Sequence, residues 1–137
     1  NLVHSIPNVI QGNTVLHPYH KDGKDLKRFD YIVSNPPFKL DFSDFRDDLD
    51  TKENKDRFFA GIPKVPPKDK DKMAIYQLFL QHIIASLKPN GKAAVVVPTG
   101  FITAQSGIDK SIREHLVTNK MLAGVVSTRV TGEGERK

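Results

Sequence analysis

Apolar residues recur at helical spacing over one long stretch, at positions 73, 75, 76, 79, 80, 83, 84 and 87. A face this broad predicts a helix over Met73–Leu87. Asp71 stands before it as an N-cap, and Lys88-Pro89-Asn90-Gly91 follows with residues that stop a helix. The run Phe29-Asp30-Tyr31-Ile32-Val33 is short, β-branched and aromatic, which predicts a buried strand at Tyr31–Val33. Ala93-Ala94-Val95-Val96-Val97 is apolar on both faces, so Lys92–Pro98 is expected to be a central strand of a covered sheet. An amphipathic helix is expected over Ile108–Asn119 and a further buried strand over Met121–Ser127. Towards the start, residues 1–6 read as a helix tail halted by Pro7, and Val9–Val15 as a short strand entering a turn. His17–Arg28 is polar and loop-like. The order strand, helix, strand, helix, strand argues for an α/β fold with parallel pairing. No internal repeat interrupts it.

Residues 39–72 break the pattern. They hold nine Lys/Arg and nine Asp/Glu, together with Phe42, Phe45, Phe58, Phe59 and prolines at 63, 66 and 67. The segment is too long for a simple connection, so it is a functional insertion or partly disordered. The aromatic pair Phe58-Phe59 near Arg57 can pack locally or touch a partner, and local packing is expected. The alternating signs of charge from 64 to 72 describe a solvated face better than a DNA track.

Composition narrows the classes. The chain has 137 residues, about one domain, with 38% hydrophobic and 27% charged residues. A net charge of +5 and a pI near 9.5 suit contact with a polyanion and equally suit ordinary solubility. The absence of cysteine excludes disulfides and thiolate metal sites and fits a reducing, cytoplasmic setting. No apolar run approaches the roughly 20 residues that span a membrane. The five histidines show no metal-ligand spacing, so no metal is expected, and His82 is read as a core or interface residue. The chain opens without Met or a signal-like segment, which suggests a piece cut from a longer protein.

Asn35-Pro36-Pro37-Phe38 carries the candidate chemistry, directly after the predicted strand. Asn offers both an acceptor and a donor. Two prolines fix φ and remove backbone donors, which leaves neighbouring carbonyls free and held in place. Phe offers a flat face on which a ring can stack. Together they suit a planar ring bearing an exocyclic amino group. Asn-Pro is also a common turn opener, and Phe38 can equally plug a core edge.

The motif lies within a wider pattern. Arg28–Ser34 leads into it, and Leu80-Gln81-His82-Ile83-Ile84-Ala85-Ser86-Leu87-Lys88-Pro89-Asn90-Gly91 runs on to the strand ending at Pro98. Over most of residues 1–127 this pattern resembles the modification subunit of type I restriction–modification systems, among the S-adenosylmethionine-dependent DNA adenine-N6 methyltransferases. The resemblance implies the C-terminal part of a Rossmann-like methyltransferase fold, with an incomplete parallel sheet lacking its first two strands. It implies a partial catalytic domain over 1–130, with 39–72 as insertion or loop and 131–137 as a polar tail. It implies methyl transfer from S-adenosylmethionine to a flipped adenine. Asn35, Pro36, Pro37 and Phe38 become the catalytic residues: the Asn35 side chain and the Pro36 carbonyl accept from the amino group, and Phe38 stacks on the base. Gly12-Asn13-Thr14 occupies the place of a family Gly-Asp-Thr, which makes Asn13 a cofactor-binding residue toward the donor's adenine or, on its own chemistry, a turn residue.

The implied partners are double-stranded DNA and the specificity and restriction subunits, with no membrane. The missing strands lead to two expectations, that the isolated piece self-associates or packs in a rearranged way and that it neither binds the donor well nor turns over. Two other functions stay open: a methyltransferase acting on protein glutamine or RNA, and a non-catalytic interaction module.

Overall fold

The computed structural model describes residues 9–128. The helix expected over residues 1–6 and the tail 131–137 lie outside them. A small antiparallel hairpin comes first, β1 (Lys21–Asp22) with β2 (Asp25–Leu26). Strand β3 (Phe29–Ser34) follows, then the one-turn helix α1 (Arg46–Leu49), helix α2 (Tyr76–Ala85) and strand β4 (Leu87–Val95). Helices α3 (Thr99–Thr103) and α4 (Gly107–Thr118) complete the order.

Strands β3 and β4 pair in parallel across the connection that contains α2. The expected α/β unit is therefore present, as helices with small sheets. Its register runs Tyr31 to Lys92, Ile32 to Ala93, Val33 to Ala94 and Ser34 to Val95. One irregularity separates this ladder from the Phe29–Leu87 pair. The Lys88–Gly91 turn is absorbed there, inside the strand rather than before it. Gly91 suits the close approach, since a Cβ at that position would lie 2.9 Å from the Phe29 carbonyl oxygen.

Helix α2 sits between two apolar clusters. Ile75 and Leu78 pack with Val15, Phe42, Leu49, Phe58 and Met73 on one side. Tyr76 and Leu80 pack with Phe101 and Ile112 on the other, against Val95 and Val97 at the end of β4. Burial on both sides explains why the apolar face in the sequence is so broad. The segment 39–72 supplies part of the first cluster through Phe42, Leu49 and Phe58, so Phe58 of the pair beside Arg57 packs locally, and Phe59 lies against His115 with ring centroids 4.3 Å apart. Phe45 and Phe59 are exposed.

Several sequence expectations are corrected. Helix α2 starts at Tyr76, not Met73, and Asp71 lies in a 3-10 turn (Lys70–Lys72) instead of capping it. The Met73 carbonyl accepts from Leu40 N–H at 3.1 Å and from Ile75 N–H at 2.8 Å, so it has no place in a helical ladder. Val9–Val15 forms no strand. Val9 and Ile10 are exposed, and the chain turns at once, with His17 N–H donating to the Asn13 carbonyl at 2.8 Å.

His17–Arg28 is not wholly loop, because Gly23 at φ +68° closes the β1–β2 hairpin. A Gly-first two-residue turn is its one local signal, since strands of two residues are too short to show alternation. Met121–Ser127 is not a strand either. Those residues are exposed and pair with no strand among the described residues. The β3–β4 pair is not the buried, covered element expected. Tyr31 is 79% exposed and Val33 84%, and Lys92–Ala94 are exposed as well. Helix α4 matches its expected span to within a residue at each end.

Candidate active site

The Asn35–Phe38 motif occupies the carboxyl end of β3, where a strand hands over to a loop. Both its flanks are fastened. The Ser34 carbonyl accepts from Val96 N–H at 3.0 Å, which continues the parallel ladder to the motif's edge. The Phe38 carbonyl accepts from Tyr76 N–H at 3.5 Å, at the start of α2, and Leu40 N–H donates to Met73. Between these anchors Asn35 is exposed, Pro36 is buried and Pro37 is exposed. The Asn35 side chain and the Pro36 carbonyl have no hydrogen-bond partner among the described residues. A strand end, two φ-locked residues and a helix start thus present an amide and a carbonyl with little freedom.

Phe38 meets Tyr76 edge-on, with ring centroids 6.4 Å apart and planes at 73°. This contact leaves 37% of Phe38 exposed. Tyr76 is itself held. Its hydroxyl donates to Asp109 Oδ1 at 2.6 Å, Gln77 Nε2 donates to the same oxygen at 2.9 Å, and Phe101 packs edge-on at 6.3 Å. Burial, then the bond to Asp109, raises the Tyr76 phenol well above its ordinary range, so it stays a neutral donor. Nothing local to either residue marks Tyr76 and Asp109 as supports. Tyr76 counted only as one more apolar position, and Asp109 comes 33 residues later.

Asn13 stands elsewhere. Its Oδ1 accepts from Val15 N–H at 3.2 Å and from Leu16 N–H at 3.1 Å, an Asx-type turn. The carbonyl face of the same turn is held by Arg57. Its Nη1 donates to the Val15 carbonyl and its Nη2 to the Thr14 carbonyl, each at 2.7 Å. Arg57 Nε donates to His82 Nδ1 at 3.0 Å. His82 must therefore be unprotonated at Nδ1, and burial together with the Arg57 charge pushes its pKa down to about 4. His82 is a structural acceptor, as its place on an apolar helix suggested.

The structure does not join Asn13 to the Asn35 motif by a hydrogen bond among the described residues. It fixes both to α2, one through Tyr76 and the other through His82. Six residues along a helix is about 9 Å. A groove of about 400 Å³, lined in part by Thr14, Tyr19, Phe29, Tyr31 and His82, follows β3 and does not include the motif. Among the described residues no group of three His, Asp or Glu side chains is placed to hold a metal ion. No helix among them is long and apolar enough to cross a membrane.

Comparison with known proteins adds to this geometry. The chain is 33% identical over 110 residues to the type I restriction enzyme MjaIX methylase subunit of Methanocaldococcus jannaschii, covering 80% of this chain and 18% of that protein. It is 28% identical over 114 residues to the type I restriction enzyme HindI methylase subunit of Haemophilus influenzae, covering 80% and 21%. The chain thus spans about a fifth of the length of the curated relatives it matches. The family described as N-6 DNA Methylase matches residues 2–129, nearly the whole chain, and the chain belongs to that family.

Proposed function

We propose that this chain carries the target-base part of a DNA adenine-N6 methyltransferase, within the methylase subunit of a type I restriction–modification system. The observation that carries the reading is the Asn35 motif, an exposed amide and an unpartnered carbonyl held at the end of a parallel strand beside a half-exposed aromatic. Asn35 Oδ1 and the Pro36 carbonyl accept from the amino group of an adenine turned out of the duplex. That pair draws the amino hydrogens into one plane and turns the nitrogen lone pair out of it. Phe38, braced by Tyr76, stacks on the ring, a contact worth about 1–3 kcal/mol. Pro37 keeps the peptide between them rigid.

S-adenosylmethionine, when bound, supplies an electrophilic methyl on a sulfonium sulfur. With the donor bound, Asn35 and the Pro36 carbonyl would hold the amino nitrogen toward that methyl, and the proton displaced from nitrogen would pass to solvent. Positioning carries most of the rate, because the methyl is already activated. Asn13 is proposed to face the donor's adenine. With Oδ1 taken by Val15 and Leu16, the group left is the Nδ2 donor, which fits a ring nitrogen.

The β3–β4 pair is proposed to belong to a larger, Rossmann-like parallel sheet whose other strands pair with its open edges and whose helices cover Tyr31 and Val33. Residues 1–130 then form part of one catalytic domain, with 39–72 as an insertion that packs back onto it. Double-stranded DNA, a specificity subunit and a restriction subunit are the proposed partners, in the cytoplasm. The test is the product. DNA methylated by the full-length protein and digested to nucleosides is expected to yield N6-methyladenine. Methylated cytosine, RNA or protein glutamine as the sole product would overturn the reading.

A further inference from the structure

Arg57 is the most buried cation among the described residues, at 7% exposure, yet it makes no salt bridge there. Burial lowers its pKa to about 10, which leaves it charged at neutral pH. A buried charge without a counter-ion is costly unless dipoles are arranged around it. Here they are. The carbonyls of Thr14 and Val15, 43 and 42 residues away in sequence, take the two terminal nitrogens, and His82 takes Nε. The Phe58 ring lies 4.6 Å from the guanidinium carbon.

We infer that Arg57 is a positioning residue for the methyl donor, which sets the Asn13–Leu16 turn so that Asn13 Nδ2 faces it. The turn is gripped from both sides: its N–H groups by Asn13 and its carbonyls by Arg57. The inference rests on the proposed donor role of Asn13. It also gives the Gln81-His82 pair a task. Gln81 accepts from Ala60 N–H at 2.9 Å and donates to the Gly61 carbonyl at 2.8 Å, which fixes the segment carrying Arg57 onto α2. His82 then aligns the guanidinium. The charged insertion thereby reaches the donor side of the site through one residue. Lysine cannot reproduce this, because one ammonium cannot satisfy three acceptors in a fixed plane.

The test uses the full-length protein, with S-adenosylhomocysteine as the calorimetric probe and methylation kinetics alongside. Arg57→Lys is expected to raise the donor KM and the probe's Kd by about tenfold or more, with kcat within about threefold and the KM for DNA unchanged. His82→Leu is expected to move the same two constants in the same direction. His82→Asn, which keeps an acceptor near Nδ1, restores them. Should Arg57→Lys fail to fold, the two His82 variants decide. Unchanged donor constants in the variants, a loss confined to kcat, or loss of fold in all three would overturn the inference. Asn13→Ala separates the two levels. If it weakens the probe and Arg57→Lys does not, only the Arg57 role falls; if Asn13→Ala has no effect, the donor role of Asn13 falls and takes this inference with it.

Discussion

Helix α2 and strand β4 are separated by a single residue, Ser86, yet α2 and the strand pair β3–β4 meet solvent in opposite ways. Six of the ten α2 residues are buried, Gln77 and Gln81 among them, and no buried side-chain polar atom among the described residues lacks a partner. In β3, Tyr31 and Val33 stand open although their chemistry suits an interior. The helix finds its packing partners within this chain, in Val15, residues 42–75 and residues 95–116. Among the described residues β3 and β4 each have one neighbouring strand, and Tyr31 and Val33 have no cover. The difference lies in where each element finds cover: the 39–72 segment and α2 pack on one another, while Tyr31 and Val33 of the strand that presents Asn35 stay open among the described residues.

Substitutions sharpen that contrast, and the full-length protein is the right object for each. Leu78 is fully buried in the first cluster. Leu78→Ala is expected to lower unfolding stability by about 2–5 kcal/mol in urea titration. His82 comes next, through pH. Its folded pKa of about 4 lies below the ordinary 6.5, so the unfolded chain takes up the proton first as pH falls. Stability present above pH 6.5 is then lost towards pH 4, by at most about 3 kcal/mol. Urea midpoints across that window are expected to fall for the wild type and to fall less for His82→Asn.

Gln81→Leu follows. It leaves Ala60 N–H and the Gly61 carbonyl without their partner, at about 1–3 kcal/mol for each group that stays buried. The smallest effect falls on the open side. If β3 lies inside a larger sheet covered by helices on this face, Val33→Ala costs about 1 kcal/mol or more. A change within about 0.5 kcal/mol would leave Val33 a surface residue and break the proposed larger sheet.

What was legible in the sequence follows the same division. The β3–α2–β4 unit and α4 are written in local apolar periodicity, and the motif's place at a strand end follows from them. The start of α2 was misread because the Met73 carbonyl is claimed by Leu40, a contact no periodicity encodes. The Met121–Ser127 and Val9–Val15 strands failed for a related reason. Apolar composition marks a segment that can pair, yet neither segment pairs among the described residues although β3 and β4 each keep an open edge. Arg57 looked like one of nine cations in a neutral segment. Its only local hint was Phe58, and its partners stand 25 to 43 residues away. Tyr76 was read correctly as apolar and buried, but its hydroxyl gave no sign of Asp109. The candidate site was thus visible as four adjacent residues, while its supports are tertiary.

The central claim is that Asn35 holds the amino group that receives the methyl. Incorporation of labelled methyl into DNA by the full-length Asn35→Ala protein, compared with wild type at saturating donor and DNA, tests it most directly. The account predicts a fall in kcat of about 100-fold or more, with the Kd for S-adenosylhomocysteine unchanged. A kcat within about threefold of wild type would contradict it.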